Sequence, residues 1–136
     1  MLPLTSYKMV GLRSFCFCAY YAGFACCTAD TWASEVGVLS TDKPILITTR
    51  KQVPKGTNGG ISPLGCLMSL LGGVYIGLGV LVLDVMWFFI NTEVEGKIVT
   101  PAFIVWLVIN SIFLLLFCGF MGLSGSLLDS LLGATL

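Results

Sequence analysis

The stretch LGCLMSLLGGVYIGLGVLVL, residues 64–83, decides the class of fold. It contains no charged side chain, and it is as long as the roughly 20 helical residues that a bilayer crossing requires. A second long apolar run covers residues 101–123 and begins at Pro101, which suits the first turn of a helix. Both runs predict membrane-spanning α-helices.

The composition indicates the same class of protein. Of the 136 residues, 57% are hydrophobic and 10% are charged, whereas a soluble domain carries about 25% charged residues. We therefore expect one all-α domain over residues 1–136, a polytopic helical integral-membrane bundle in the lipid bilayer. The net charge of zero argues against nucleic acid as a partner, and the absence of histidine excludes imidazole catalysis.

Three to four membrane helices are predicted, at about residues 11–30, 64–83 and 101–123, with a partial helix over 124–136. The first needs residues before Ser14 to reach spanning length, with Arg13 turned outward to the interface. A cleaved signal peptide ending near Ala29 is the alternative interpretation of this run. The last segment stops at Leu136 in mid-pattern, so we expect an incomplete bundle.

Small residues recur at four-residue steps on each segment, which allows helices to approach closely in lipid. The rows are Ala22, Cys26, Asp30 and Ser34, then Gly65, Ser69, Gly73 and Gly77, and then Gly122, Ser126, Ser130 and Ala134. Helix continuing to Glu35 would place that acid on the adjacent row of Gly23, Cys27 and Thr31. These rows predict small-residue packing faces with both acids, Asp30 and Glu35, toward the bundle interior.

Acidic side chains in or beside apolar segments are costly in a membrane and are usually functional. Asp30 and Glu35 follow the first apolar run, and Asp129 lies beside serine in the last segment. Converging carboxylates supply the hard oxygen ligands that Mg²⁺ takes together with substrate phosphates. We predict catalytic roles for Asp30, Glu35 and Asp129 and a magnesium site at Asp30 and Asp129. The alternative is that these aspartates only form hydrogen bonds across helices.

A polar loop over residues 36–63 separates the first two helices. Glycine lets backbone N–H groups approach an anion, and the helix N-terminus that follows adds positive potential. The predicted phosphate-binding residues are Arg50, Lys51, Lys55, Gly56, Thr57, Asn58, Gly59, Gly60 and, in the last segment, Ser126. A flexible turn with topogenic charge is the alternative. The positive-inside rule places this loop in the cytoplasm.

Three blocks resemble the transmembrane protein 19 family of integral-membrane proteins. They are ADTWASEVG (residues 29–37), GTNGG (56–60) and GSLLDSLLGA (125–134). That family is similar to plant phytyl-phosphate kinase. Its members carry helices before and after this region, which implies that the chain is a fragment or truncated isoform.

A more distant similarity is to membrane enzymes that use CTP, the phosphatidate cytidylyltransferases and dolichol kinases. It implies Mg²⁺ at Asp30 and Asp129, and nucleotide phosphates at Lys51, Lys55 and the glycines. This chain departs from the cytidylyltransferase pattern, because Ser126 stands in place of a second acid. Leu132 and Gly133 stand in place of its Lys-Arg pair.

Two functions follow from these observations. The first is a kinase that moves a phosphoryl group from CTP or a similar nucleotide onto an isoprenoid alcohol or its monophosphate. The second is a non-catalytic membrane protein or transporter subunit whose acids bind a cation. The sequence leaves the lipid, the nucleotide and the oligomeric state open.

Overall fold

The computed structural model describes residues 4–95 and 100–136 and is built from long helices. Its helices are α1 (Leu4–Gly37), α2 (Pro63–Glu95) and α3 (Pro101–Gly133). Two short strands, β1 (Ile45–Leu46) and β2 (Gly60–Ile61), pair antiparallel in the loop between α1 and α2. The predicted all-α class is confirmed.

The helices extend beyond the apolar runs that predicted them. α1 continues through Asp30 and Glu35 to Gly37, so the first acids are helical. Residues 124–136 do not form a separate helix, because α3 is continuous from Pro101 to Gly133. The glycines in this part of α3 pack against other helices. Gly122, for example, faces Gly73 of α2 and Ala29 of α1.

Within the described ranges, two helices are long and apolar enough to cross a membrane: Pro63–Ile90 and Phe103–Gly133. The segment predicted as the first span, residues 11–30, is helical but is not among them. Arg13 and the tyrosines and threonine of this segment lower its hydropathy. A membrane crossing by α1 therefore stays a prediction.

Small residues hold the three helices together. A Cβ atom at Gly72 would lie 2.9 Å from the Cα atom of Ala29, and one at Gly73 would overlap the backbone of Cys118. The predicted row on α2 is confirmed, since all its members are buried: Gly65, Ser69, Gly73 and Gly77. Close backbone approach in lipid requires this absence of side-chain volume.

The packing face of α1 differs in part from the predicted one. Ala25 and Ala29 are fully buried, whereas Ala22 and Asp30 are only partly buried. The adjacent row is exposed along its whole length: Gly23, Cys27, Thr31 and Glu35. The reason is geometric, because the alanine row meets Gly72 and Gly122, and the opposite side of α1 then faces outward.

Candidate functional site

A pocket of about 350 Å³ lies at one end of the bundle, where the loop between α1 and α2 meets all three helices. Its volume is in the range of small-molecule sites in proteins. Asp30 of α1, Ser69 of α2 and Asp129 of α3 line it together with the loop from Lys55 to Gly60. Folding thus brings together acids that lie far apart in the sequence.

One hydrogen bond joins α1 to α3 inside this pocket. The hydroxyl of Ser126 donates to the Oδ1 atom of Asp30 over 3.2 Å. Ser126 is 5% exposed, so its hydroxyl is directed into the protein rather than into solvent. Asp129 is exposed and lines the same pocket as Asp30. Among the described residues, neither acid forms an ion pair.

The loop turns twice in succession beside these acids. The N–H of Thr57 donates to the carbonyl of Pro54 (3.3 Å), and the N–H of Gly60 donates to the carbonyl of Thr57 (3.0 Å). The third residues of these turns are Gly56 (φ 82°) and Gly59 (φ 76°). Type II turns require a positive φ at that position, which glycine adopts without steric cost.

These turns leave backbone donors at the pocket. Within the part of the chain that the structure describes, the N–H groups of Gly56, Asn58 and Gly59 donate to no other group. Consecutive unpaired N–H groups, here those of Asn58 and Gly59, form concave sites that bind anions. The exposed Lys55 adds a positive charge at the same edge of the pocket.

The last turn of α3 holds the loop in place. A Cβ atom at Gly59 would overlap that of Ala134, and it would also meet the carbonyl of Ser130. A Cβ atom at Gly133 would lie 3.7 Å from the N atom of Gly59, so the same two segments meet there as well. The conformation of the loop and the position of α3 are therefore coupled.

The N-terminus of α2 also borders the pocket. Ser62 precedes the helix, and its hydroxyl accepts a hydrogen bond from the N–H of Gly65 (3.1 Å). A serine in this position caps the helix, and the proline that follows it suits the first helical turn. Ser62 and Gly65 both line the pocket, so the positive end of the helix dipole lies beside it.

The structure brings most of the predicted site residues to this pocket. Those that line it are Asp30, Lys55, Gly56, Thr57, Asn58, Gly59, Gly60, Ser126 and Asp129. Glu35, Arg50 and Lys51 are exposed and are not part of the pocket lining. Glu35 lies on the outward row of α1, so helix geometry separates it from Asp30.

Arg50 and Lys51 belong to a hairpin turn next to β1. The N–H of Arg50 donates to the carbonyl of Leu46 (2.8 Å), and the N–H of Leu46 donates to the carbonyl of Lys51 (2.9 Å). Arg50 has a φ of 55°, a left-handed conformation that the hairpin imposes. The predicted phosphate-binding roles of these two residues stay predictions.

Sequence reasoning did not assign a site role to several polar residues of the pocket: Ser34, Ser62, Ser69 and Ser130. Ser34, Ser69 and Ser130 were recognised only as members of the small-residue rows. Ser62 was recognisable as a helix cap, because a serine that precedes a proline and a long apolar run is typical of an N-terminus.

The donor set restricts the metals that fit. The described residues contain no group of three or more acidic or cysteine side chains placed to hold a metal ion. The pocket instead offers the carboxylates of Asp30 and Asp129 with nearby hydroxyls. Mg²⁺ is commonly held by one or two carboxylates and by substrate phosphates, so these residues fit a magnesium–nucleotide complex better than a free ion.

Three relatives place these observations among known proteins. Protein PGR of Arabidopsis thaliana is 40% identical over 113 residues, which are 83% of this chain and 35% of that protein. An uncharacterized membrane protein of Methanocaldococcus jannaschii is 49% identical over 59 residues, 43% of this chain and 25% of its own length. An uncharacterized membrane protein of Synechocystis is 34% identical over 89 residues, 58% of this chain and 34% of its own length.

The chain thus spans about a third or less of the length of these relatives. No solved structure matches it. The model of the integral membrane protein family DUF92 matches residues 2–136, in agreement with the resemblance to the transmembrane protein 19 family and with the predicted membrane location. The chain belongs to the DUF92 family of integral membrane proteins.

Proposed function

We propose that this membrane protein transfers a phosphoryl group from CTP or a similar nucleotide to an isoprenoid alcohol or its monophosphate. The observation that carries the proposal is the lining of one pocket. Asp30, the loop from Lys55 to Gly60 and Asp129 all contribute to it. Phosphoryl transfer depends mainly on positioning and on compensation of charge, which acidic and cationic groups in one pocket support.

The loop is the proposed site for the nucleotide phosphates. Its two turns present the N–H groups of Gly56, Asn58 and Gly59, and Lys55 adds a full positive charge. Backbone donors held by consecutive turns need little reorganisation when an anion binds. The N-terminus of α2, capped by Ser62, contributes further positive potential.

Asp30 and Asp129 are the proposed ligands of Mg²⁺. When bound, the ion would offset negative charge on the nucleotide phosphates. The hydrogen bond from Ser126 fixes one oxygen of Asp30 and leaves the other for a ligand. Two carboxylates that line one pocket favour a bound cation, because it offsets their negative charge.

The proposed acceptor approaches from the membrane. Large apolar side chains on α2 and α3 are exposed near the level of the pocket, among them Leu67, Leu70, Leu128 and Leu131. An isoprenoid tail packs on such a surface, and its polar head group then reaches the pocket at the cytoplasmic edge. The same side chains also suit contact with other lipids, so the identity of the acceptor rests on the assay below.

The test is transfer of labelled phosphate from CTP to phytyl or geranylgeranyl phosphate by the purified protein in lipid vesicles. We expect Asp30→Asn and Asp129→Asn each to lower the rate by about 100-fold, as for loss of a group that stabilises charge in the transition state. Asp42→Asn is the matched control, because Asp42 is an exposed acid of the loop that does not line the pocket. Unchanged rates in both site variants would rule the proposal out.

The alternative function, a non-catalytic protein or transporter subunit, shares the cation-binding acids. It does not require nucleotide binding. A rise in the thermal unfolding temperature in detergent on addition of CTP with Mg²⁺, but not of Mg²⁺ alone, would favour the kinase. Stabilisation by Mg²⁺ alone would favour the alternative.

A further inference from the structure

A second pocket, of about 590 Å³, lies between α2 and α3 far from the loop. Aromatic side chains dominate its wall: Trp87, Phe88, Phe103, Trp106 and Phe113. Asp84 is the one charged residue in its lining, within the part of the chain that the structure describes. The kinase proposal does not use any of these residues.

Helix geometry places the acid and the rings together. Asp84 and Phe88 are four residues apart and lie on one face of α2, and Phe103 and Trp106 share a face of α3. The rings of Phe88 and Phe103 stack with centroids 4.1 Å apart, and those of Phe103 and Trp106 lie 5.8 Å apart. The aromatic wall is therefore continuous across the two helices.

The pocket lies at the other membrane interface. At 1.5 Å per residue, Asp84 is about 30 Å along α2 from Pro63, which is roughly the thickness of the hydrocarbon core. Trp87 and Trp106 are 69% and 58% exposed, as expected for tryptophans at the level of lipid head groups. A ligand of this pocket comes from the leaflet opposite the first pocket.

The polar groups beside Asp84 bind to their own helix. The side-chain amide of Asn110 donates to the carbonyl of Trp106 (2.8 Å), and the hydroxyl of Ser111 donates to that of Leu107 (2.7 Å). No basic side chain pairs with Asp84 among residues 11–90, 100–101 and 103–136, whose side chains the structure describes. The complementary ligand is thus a cation with apolar surface, which aromatic faces also attract.

We propose that this pocket binds the quaternary ammonium head group of a phosphatidylcholine-type lipid. Asp84 supplies the opposite charge, and the exposed Trp106 supplies an aromatic face. The glycerol and acyl chains of the lipid continue along the exposed apolar surface of α3, where Ile109 and Phe113 are exposed. The inference is independent of the proposed kinase activity, because the two pockets share no residue.

The test is native mass spectrometry of the purified protein with phosphatidylcholine or phosphatidylglycerol of identical acyl chains. We expect the protein to retain phosphatidylcholine at least about fivefold more strongly than phosphatidylglycerol. This ratio corresponds to the free energy of a single cation–π contact. Asp84→Asn and Trp106→Leu should reduce retention to the level of phosphatidylglycerol. Phe120→Leu, an exposed aromatic of α3 outside the pocket, should leave it unchanged.

A competition experiment on the wild-type protein tests the same site and does not depend on how well a variant folds. Tetramethylammonium should displace bound phosphatidylcholine. Equal retention of the two lipids would overturn the proposal, as would phosphatidylcholine retention that Asp84→Asn does not change. Binding of tetramethylammonium without any preference for phosphatidylcholine would also overturn it, because the ligand would then be a free cation.

Discussion

The side-chain hydrogen bond from Ser126 to Asp30 links α1 and α3 across the candidate site. It connects a buried hydroxyl to a partly buried carboxylate, so it positions a proposed metal ligand and also contributes to stability. Hydrogen bonds to charged groups are stronger than those between neutral groups. This contact is the point at which site geometry and helix packing depend on one another.

Ser126→Ala should lower the free energy of unfolding by about 1 kcal/mol, because Asp30 then loses its donor while its burial is unchanged. The measurement is denaturation by sodium dodecyl sulfate in mixed micelles. Ser124→Ala is the control, since the Ser124 hydroxyl donates to carbonyls of its own helix, at Phe120 and Met121. Equal losses in the two variants would contradict an interhelical role for Ser126.

Gly56 and Gly59 provide a matched pair, because both have positive φ angles. Alanine at either position lowers the free energy of unfolding by about 1 kcal/mol, because its side chain disfavours the left-handed conformation. A Cβ atom at Gly56 meets nothing within 4 Å, whereas one at Gly59 overlaps Ala134. We expect Gly59→Ala to be less stable than Gly56→Ala by about 1–3 kcal/mol in thermal unfolding. Equal stabilities would show that the loop does not rest on α3.

Among individual residues, the sequence predicted best those whose chemical role also requires a particular backbone conformation. The glycines from Gly56 to Gly60 predicted a turn at an anion site, and the structure places turns there. Arg50 and Lys51 are outside the pocket lining, because pairing in the hairpin holds them beside β1, and their predicted phosphate-binding roles stay predictions. Glu35 was misplaced on the interior side for a similar reason, since the rotation of α1 is set by its neighbours.

Helix packing in this bundle depends on side-chain volume more than on specific polar contacts. The backbones of α2 and α3 approach closely at Gly73 and Gly122, where a Cβ atom at Gly122 would be 2.9 Å from the Cα atom of Gly73. Lipid tails are as apolar as leucine, so the hydrophobic effect does not drive association within the membrane. Close contact and dispersion therefore supply the attraction.

Alanine substitutions at two glycines of α2 separate the effect of helix packing on stability from the effect of helix propensity. Gly73→Ala should destabilise the protein by about 1–3 kcal/mol, because the new Cβ atom overlaps the backbone of Cys118. Gly79→Ala should be neutral or stabilise by up to about 1 kcal/mol, since that position is open and alanine favours helix. Thermal unfolding in detergent measures both, and stabilisation by Gly73→Ala would contradict the packing account.

Residue spacing predicted the α2 packing row correctly, because four-residue periodicity is a property of one helix alone. It did not predict that α3 continues through Gly119, Gly122 and Gly125. Glycine weakens a helix in isolation, but here neighbouring helices stabilise the backbone, which a single sequence does not reveal. The alanine face of α1 was missed because two small-residue rows lie side by side on that helix.

The whole molecule has two candidate sites, one at each end of the bundle. The loop end holds the pocket with two carboxylates and a cationic turn, and the far end holds the aromatic pocket around Asp84. The bundle between them is closely packed through glycine and alanine.

Isothermal titration of CTP with Mg²⁺ into the detergent-solubilised protein measures whether the loop-end pocket binds a magnesium–nucleotide complex. We expect saturable binding that Lys55→Gln weakens by about tenfold, as loss of one charge-assisted hydrogen bond predicts. Lys43→Gln, which removes an exposed charge of the same loop outside the pocket, should weaken it by less than about threefold. Absence of binding, or equal losses in the two variants, would contradict the account.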